Sequence, residues 1–242
     1  MPRSDVPVLI DPLNYNPVLH GPPYLPMKED ITPMKTAGLK VAVKAMVDHE
    51  AASVGQEIDQ LFQHFVGDYG GAGSAELAVL LAALRAEALI HQAHHWGTTG
   101  PDFYGDHLLF DRIYSQVFGL VDDLAERTVG SGQVVLVQPL LQVHHMSGFT
   151  KSFYRDAPVI PAPNDMAMLS LRAVLRFLVL LNLAYATMES KNSLSHGTDN
   201  MLQGIADEHE KLVYLLKQRS SATEVKTASM KLSPTDSAWK KQ

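Results

Sequence analysis

Residues 90–132 read IHQAHHWGTTGPDFYGDHLLFDRIYSQVFGLVDDLAERTVGSG, and this stretch decides the fold. Gly97, Gly100 and Pro101 punctuate it, because glycine loosens the backbone and proline removes an amide donor. Ahead of the break, Leu77, Leu81, Leu84, Ala88, His91 and His95 step by four and three, the spacing of one helical face. His95 therefore extends an apolar stripe and is expected to point inward. His94, about 100° further round, is expected to face elsewhere. Behind the break a helix is predicted over 103–129, ending before Gly130 and Gly132. So short a link between two long helices makes them an antiparallel hairpin.

Five polar residues on this hairpin carry chemistry: His95, His107, Asp111, Asp122 and Glu126. Imidazoles mixed with carboxylates suit iron, manganese or zinc. His107 and Asp111 are four apart on one helix face, as are Asp122 and Glu126, so each pair can grip one side of a metal. His107 and Asp122 lie fifteen residues apart on one helix. At a rise of about 1.5 Å per residue that is roughly 22 Å, too far for one ion. A shared site then needs a second subunit. A two-fold axis would bring His95, His107 and Asp111 of one copy to Asp122 and Glu126 of its twin.

Outward from the hairpin, a helix start is expected near Ser74, read as an N-cap, and another helix over 37–66, closed by Gly67, Gly70, Gly71 and Gly73. Residues 1–33 hold eight of the fourteen prolines and read as an extended arm. Residues 133–163 read as a long irregular connection with a short apolar run, Val134 to Leu141. A helix apolar on most sides, and so central, is predicted from Asp165 to Lys191, and a last one over 198–218 with Leu202, Ile205, Leu212 and Leu216 on one face. Residues 219–242 carry five basic and two acidic residues and read as a disordered or loosely attached tail. The expected divisions are an N-terminal extension, 1–73; a four-helix bundle, 74–218; and the tail, 219–242. Two short-linked helix pairs joined by one long crossover make the ferritin-like connection, so the expected class is all-α. No Glu-x-x-His occurs, which argues against an iron pair held inside one bundle.

Composition narrows the function. The 242 residues include no cysteine, so disulfides, zinc thiolates and iron–sulfur clusters are excluded, while eleven histidines and twenty-six acids remain as metal ligands. A net charge of −6 gives no general pull toward nucleic acid. The longest apolar stretch, Leu171 to Met188, is interrupted by Arg172 and Arg176, and the N-terminus lacks the basic-then-apolar order of a signal peptide. No membrane association and a cytoplasmic location are the expectations.

The run His94-His95-Trp96-Gly97-Thr98-Thr99-Gly100-Pro101-Asp102-Phe103, then His107, Phe110 and Asp111, then Asp122-Asp123-Leu124-Ala125-Glu126-Arg127, resembles the signature of the Dps family of starvation-type mini-ferritins. The ligand steps are 12, 4, 11 and 4. The last helix, with Asp199-Asn200-Met201 and Glu208-His209-Glu210-Lys211, is similar to the family's fourth, and the resemblance covers about residues 76–218. It implies a hollow dodecamer with ferroxidase sites at two-fold interfaces. It also implies ferrous iron oxidised by hydrogen peroxide in preference to O2, ferric mineral in the cavity, and protection of DNA from iron-driven radicals. Three features depart from the family: Gly97-Thr98-Thr99 after the His-Trp, the longer crossover, and everything before residue 74.

Plainer readings stand beside these. Asp122 and Glu126 could be a solvated face or pair with Arg127 or Arg112. Trp96, beside His95, is placed to act as a redox-active electron donor; otherwise it is a packed aromatic. His91 could add a ligand but reads first as a bundle or interface histidine; His144 and His145 could bind metal or line an entry path but read first as a plain loop pair; Glu208 to Glu210 read as a polar face. The tail, +3 per chain, reads as solubilising ahead of DNA-binding. The alternative function is a structural or assembly protein, such as a particle component, that uses the bundle without turning over iron.

Overall fold

The computed structural model is all-helical among the described residues: α1 (Pro33–Gly67), α2 (Ala75–Gly97), α3 (Phe103–Gly130), a 3-10 turn (Val134–Val137), α4 (Pro139–Phe153), α5 (Met166–Ser190) and α6 (His196–Leu232). The structure describes residues 33–232 except Gly73, Gly132, Ile160, Pro163 and Asn164, with side chains from residue 41 to 220. The proline-rich arm and the end of the tail lie outside the described residues.

Sequence composition decides which helices sit inside. α2 and α5 carry alanine, leucine and valine on nearly every side, and both are buried along most of their length. α5 is apolar and long enough to cross a membrane, yet 78% of its most apolar window is buried within the fold. Burying each Leu or Phe side chain is worth about 1.5–3 kcal/mol, so these two helices hold the bundle together. α3 shows the surface pattern: Phe110, Ile113, Val117, Val121 and Leu124 face inward at steps of three and four. α6 buries Leu202, Ile205, Leu212 and Leu216, the face expected from sequence. α2 packs on α3, α4 and α5, and α5 packs on α6. The order α2–α3, crossover, α5–α6 is the ferritin-like connection.

Four local expectations need correction. Ser74 is no N-cap: it sits in the left-handed region at φ 64° and its side chain makes no capping bond. The crossover is not irregular, since it contains the 3-10 turn and the 15-residue α4. Pro139 starts α4 rather than breaking it, because a first-turn amide has no partner to lose. The Gln138 side chain caps that end, accepting from the Leu141 amide at 2.8 Å. His144 and His145 are therefore helical. Lastly, α6 runs past residue 218 to Leu232, so the last helix is longer than expected. Arg219 secures it with bonds to Asp106 at 2.5 Å and Asp102 at 3.2 Å.

α1 buries Val43, Val47, Val54, Ile58, Phe62 and Phe65 along one stripe. Its Glu50 accepts a 2.7 Å bond from Arg176 of α5, whose guanidinium also reaches the Ser152 and Phe153 carbonyls and Asp156. Phe65 stacks on His145 of α4 with ring centroids 4.2 Å apart. The close approach needs Gly148: a Cβ there would lie 2.5 Å from the Phe65 ring.

Candidate metal centre at the α2–α3 hairpin

The link between α2 and α3 turns at Gly100, whose φ of 86° suits glycine, and the Phe103 amide closes the turn onto the Gly100 carbonyl at 3.1 Å. This places His95, in the last turn of α2, against His107, in the second turn of α3. The rings stack with centroids 3.8 Å apart and planes 24° from parallel. Each Nδ1 meets the other residue's backbone carbonyl, His95 to His107 at 3.0 Å and His107 to His95 at 3.1 Å. A carbonyl only accepts, so both Nδ1 atoms carry the proton and both Nε2 atoms keep a lone pair. That is the arrangement of an oriented metal ligand: one ring nitrogen fixed by a hydrogen bond, the other left to coordinate. Thr98 adds to it, donating to the His95 carbonyl at 3.0 Å and lying 3.3 Å from His107 Nδ1. One of the residues that depart from the family signature thus braces both histidines.

His95 is half-buried, so the inward expectation fails by one position. The fully packed neighbour is His94, 2% exposed, bonded to Ser170 at 2.6 Å and Tyr154 at 2.7 Å. His94, like His91 one turn before it, faces the Ser170 hydroxyl of α5, whereas His95 faces α3, with its ring 3.8 Å from that of His107 and 5.3 Å from that of Tyr114. Burial, with help from His91, lowers the His94 imidazole to about 3, so it is neutral.

Asp111 lies one turn beyond His107 and is half-buried; Asp122 and Glu126 are exposed on the same helix. Within one chain the five residues form no single cluster. His95 and His107 occupy one end of the hairpin, and Asp122 and Glu126 lie four to five turns away along α3. Between the two ends runs a groove of about 720 Å³ lined by Leu89, Gln92, Tyr114 and Phe118, with Asp122 at its edge. Its apolar side chains are open: Phe118 is 65% exposed and Leu89 42%. Trp96, on the same side of α2, is 69% exposed in the single chain.

A second polar assembly, unnoticed in sequence, lies inside the bundle. Glu87, wholly buried, accepts from His91 at 3.2 Å and from His209 at 3.1 Å. His91 Nδ1 meets the Ser170 hydroxyl at 3.1 Å, which links this group to His94 and Tyr154. His209 belongs to the core and not to a polar face; the spacing Ile205, His209, Leu212, Leu216 carries that signal. Its Nδ1 donates to the Ile205 carbonyl at 2.7 Å, so both ring nitrogens donate and it is an imidazolium. Burial opposes that charge, but Glu87 outweighs it and raises the His209 pKa. Burial likewise opposes the Glu87 carboxylate, yet the two imidazoles bring it down to about 2. Every member is hydrogen-bonded, so the assembly reads as structural.

The fold matches that of a point mutant of Dps1 from Mycobacterium smegmatis, with a TM-score of 0.50 at 17% identity, over 67% of this chain and 98% of that one. A DPS protein from Vibrio cholerae O1, described as a member of a broad superfamily of ferritin-like diiron-carboxylate proteins, aligns at 20% identity over 66% of this chain and 90% of its own, with a TM-score of 0.48. No family model and no curated protein matches the sequence. The likeness establishes the fold: a ferritin-like bundle of the kind found in Dps proteins.

Proposed function

We propose that this ferritin-like chain is a ferroxidase whose site is completed by a second copy. The observation that carries the reading is the locked histidine pair. His95 and His107 hold each other's Nδ1 protons and leave two Nε2 lone pairs, beside a carboxylate one turn away. Asp122 and Glu126 supply the complement at the far end of the same face, exposed and, among the described residues, without an ion pair. An antiparallel two-fold packing centred near Tyr114 superposes one end on the other and covers Phe118 and Leu89. Each pair of copies then carries two equivalent sites.

The substrate is ferrous iron. Imidazole nitrogen suits the ferrous ion, and the three carboxylates favour the ferric product through their charge. Two ferrous ions give one electron each to one hydrogen peroxide, which takes up two protons and leaves as two waters. With O2 as oxidant, reduction to peroxide consumes the same two electrons. Trp96, one residue from His95 and open, is placed to quench a stray radical. Further copies around such interfaces would build a closed cytoplasmic cage, a dodecamer by the resemblance, storing ferric mineral. Arg219 is committed to Asp106 and Asp102, so the tail has one cation fewer for DNA, and DNA binding is not part of this reading.

The test is ferrous iron added to metal-free protein with substoichiometric hydrogen peroxide, followed by ferric absorbance in the near ultraviolet. Fast oxidation, lost in Asp122→Ala/Glu126→Ala, is expected. Oxidation no faster than in buffer, with the assembly intact, would leave a structural protein.

A further inference from the structure

A second metal-binding group lies away from the hairpin, where α1 meets the crossover helix. His64 and His144 each present a ring nitrogen and Asp68 a carboxylate oxygen, and these three atoms all lie within 4.8 Å of one another. His64 and Asp68 are one helical turn apart: the Asp68 amide still bonds the His64 carbonyl at 3.2 Å, just past the end of α1. His144 comes from α4. All three residues are exposed, so an ion can reach them.

Two independent features show that the group is built rather than accidental. The first is a support behind the carboxylate. Buried His145 contacts Asp68 Oδ2 through Nε2 at 2.9 Å, and its Nδ1 lies 3.4 Å from the Tyr69 hydroxyl, which in turn accepts from Gln142 at 3.1 Å. One carboxylate oxygen is thereby held by a hydrogen bond, as ligating carboxylates usually are. The second is Gly148, one turn beyond His144. Its missing side chain lets Phe65 seat on α4, and Phe65 packs against both outer imidazoles, with ring centroids 5.5 Å from His64 and 5.7 Å from His144.

We infer that His64, Asp68 and His144 bind a borderline divalent transition-metal ion of the zinc type and thereby clamp α1 to α4. Two imidazoles and one carboxylate match such an ion and disfavour magnesium and calcium, which prefer all-oxygen sites. Zinc bonds of about 2.0–2.2 Å need a modest rotamer contraction of the trio, and a water completes the tetrahedron. The site owes nothing to the α2–α3 hairpin, so it stands or falls separately from the ferroxidase reading. Its role is mechanical: it fixes to the bundle the helix that the Dps resemblance does not cover.

The experiment is zinc titration of the full chain, stripped of metal, in the His95→Ala/His107→Ala background, which removes the hairpin imidazoles, with His64→Ala and His144→Ala added singly. These two histidines are exposed, so the fold should survive both changes. Zinc should bind with about one ion per chain, and each histidine change should weaken it at least tenfold, since loss of even an outer-shell partner costs about 10–100-fold. Zinc should also raise the thermal midpoint of the parent but not that of the His144→Ala form, while millimolar magnesium should do neither. Zinc affinity unchanged by both histidine substitutions, or no binding by the parent, would overturn the inference.

Discussion

Glu87→Gln keeps the shape of a buried side chain and removes its charge. Both carboxylate oxygens are engaged, one by His91 at 3.2 Å and one by His209 at 3.1 Å. The carboxyl is brought from 4.5 to about 2 in the folded chain. At about 1.4 kcal/mol per unit, that depression corresponds to about 3 kcal/mol of stability. An independent route agrees: removing one partner of a buried pair costs about 3–5 kcal/mol. The sign follows from linkage. A depressed carboxyl contributes fully above about 4.5 and loses its contribution as the pH falls toward 2. His209, raised above 6.5, contributes fully below that value and loses its share as the pH climbs through its folded pKa. The pair is therefore strongest in mildly acidic solution. Urea unfolding at fixed protein concentration, followed by circular dichroism, measures the gap between wild type and variant. It should be about 3 kcal/mol at pH 6 and narrow below pH 4.5. A gap under about 1 kcal/mol at pH 6, or one equally wide at pH 3.5, would refute the ion-pair assignment.

Three further outcomes are expected. Gly148→Ala pushes a methyl against Phe65 and should cost about 1–3 kcal/mol in thermal or urea unfolding, with α1 becoming the first segment cut by protease. Arg176→Met strands Glu50 together with the Ser152 and Phe153 carbonyls, while Asp156 keeps Arg155 at 3.4 Å, and should cost about 3–5 kcal/mol in the same unfolding assay. Phe118→Glu puts a charge on the open apolar groove and should break the assembly into smaller species by light scattering, while circular dichroism stays helical.

The bundle was legible because its signals are local. Alanine and leucine at helical spacing mark α2 and α5, and glycine and proline mark the ends of the hairpin. The proposed ligands stand out in the sequence as types and spacings, and the roughly 22 Å along α3 between His107 and Asp122 already bars one ion from reaching both within a chain. What escaped depends on contacts between distant segments. His94 and His95 are adjacent, and only the Ser170 hydroxyl from α5 decides which one turns inward. Glu87 and His209 are far apart in sequence, and each alone looks like a polar residue on a helix; their meeting makes both tolerable in the core. The crossover helix α4 was missed because its cap is a glutamine and its first residue a proline, both of which read locally as loop. Its histidines acquire meaning only against α1.

The shared site is the centre of the account, and complementation tests it most directly. One variant carries His95→Ala/His107→Ala and the other Asp122→Ala/Glu126→Ala. Each lacks half of every site and should oxidise ferrous iron no faster than buffer. When the two are unfolded together and reassembled, each mixed pair regains one intact site of its two. With half of the interfaces mixed, about a quarter of the wild-type rate should return. Recovery to that level is the result predicted. No recovery from assemblies shown to be mixed would contradict a site built across two copies.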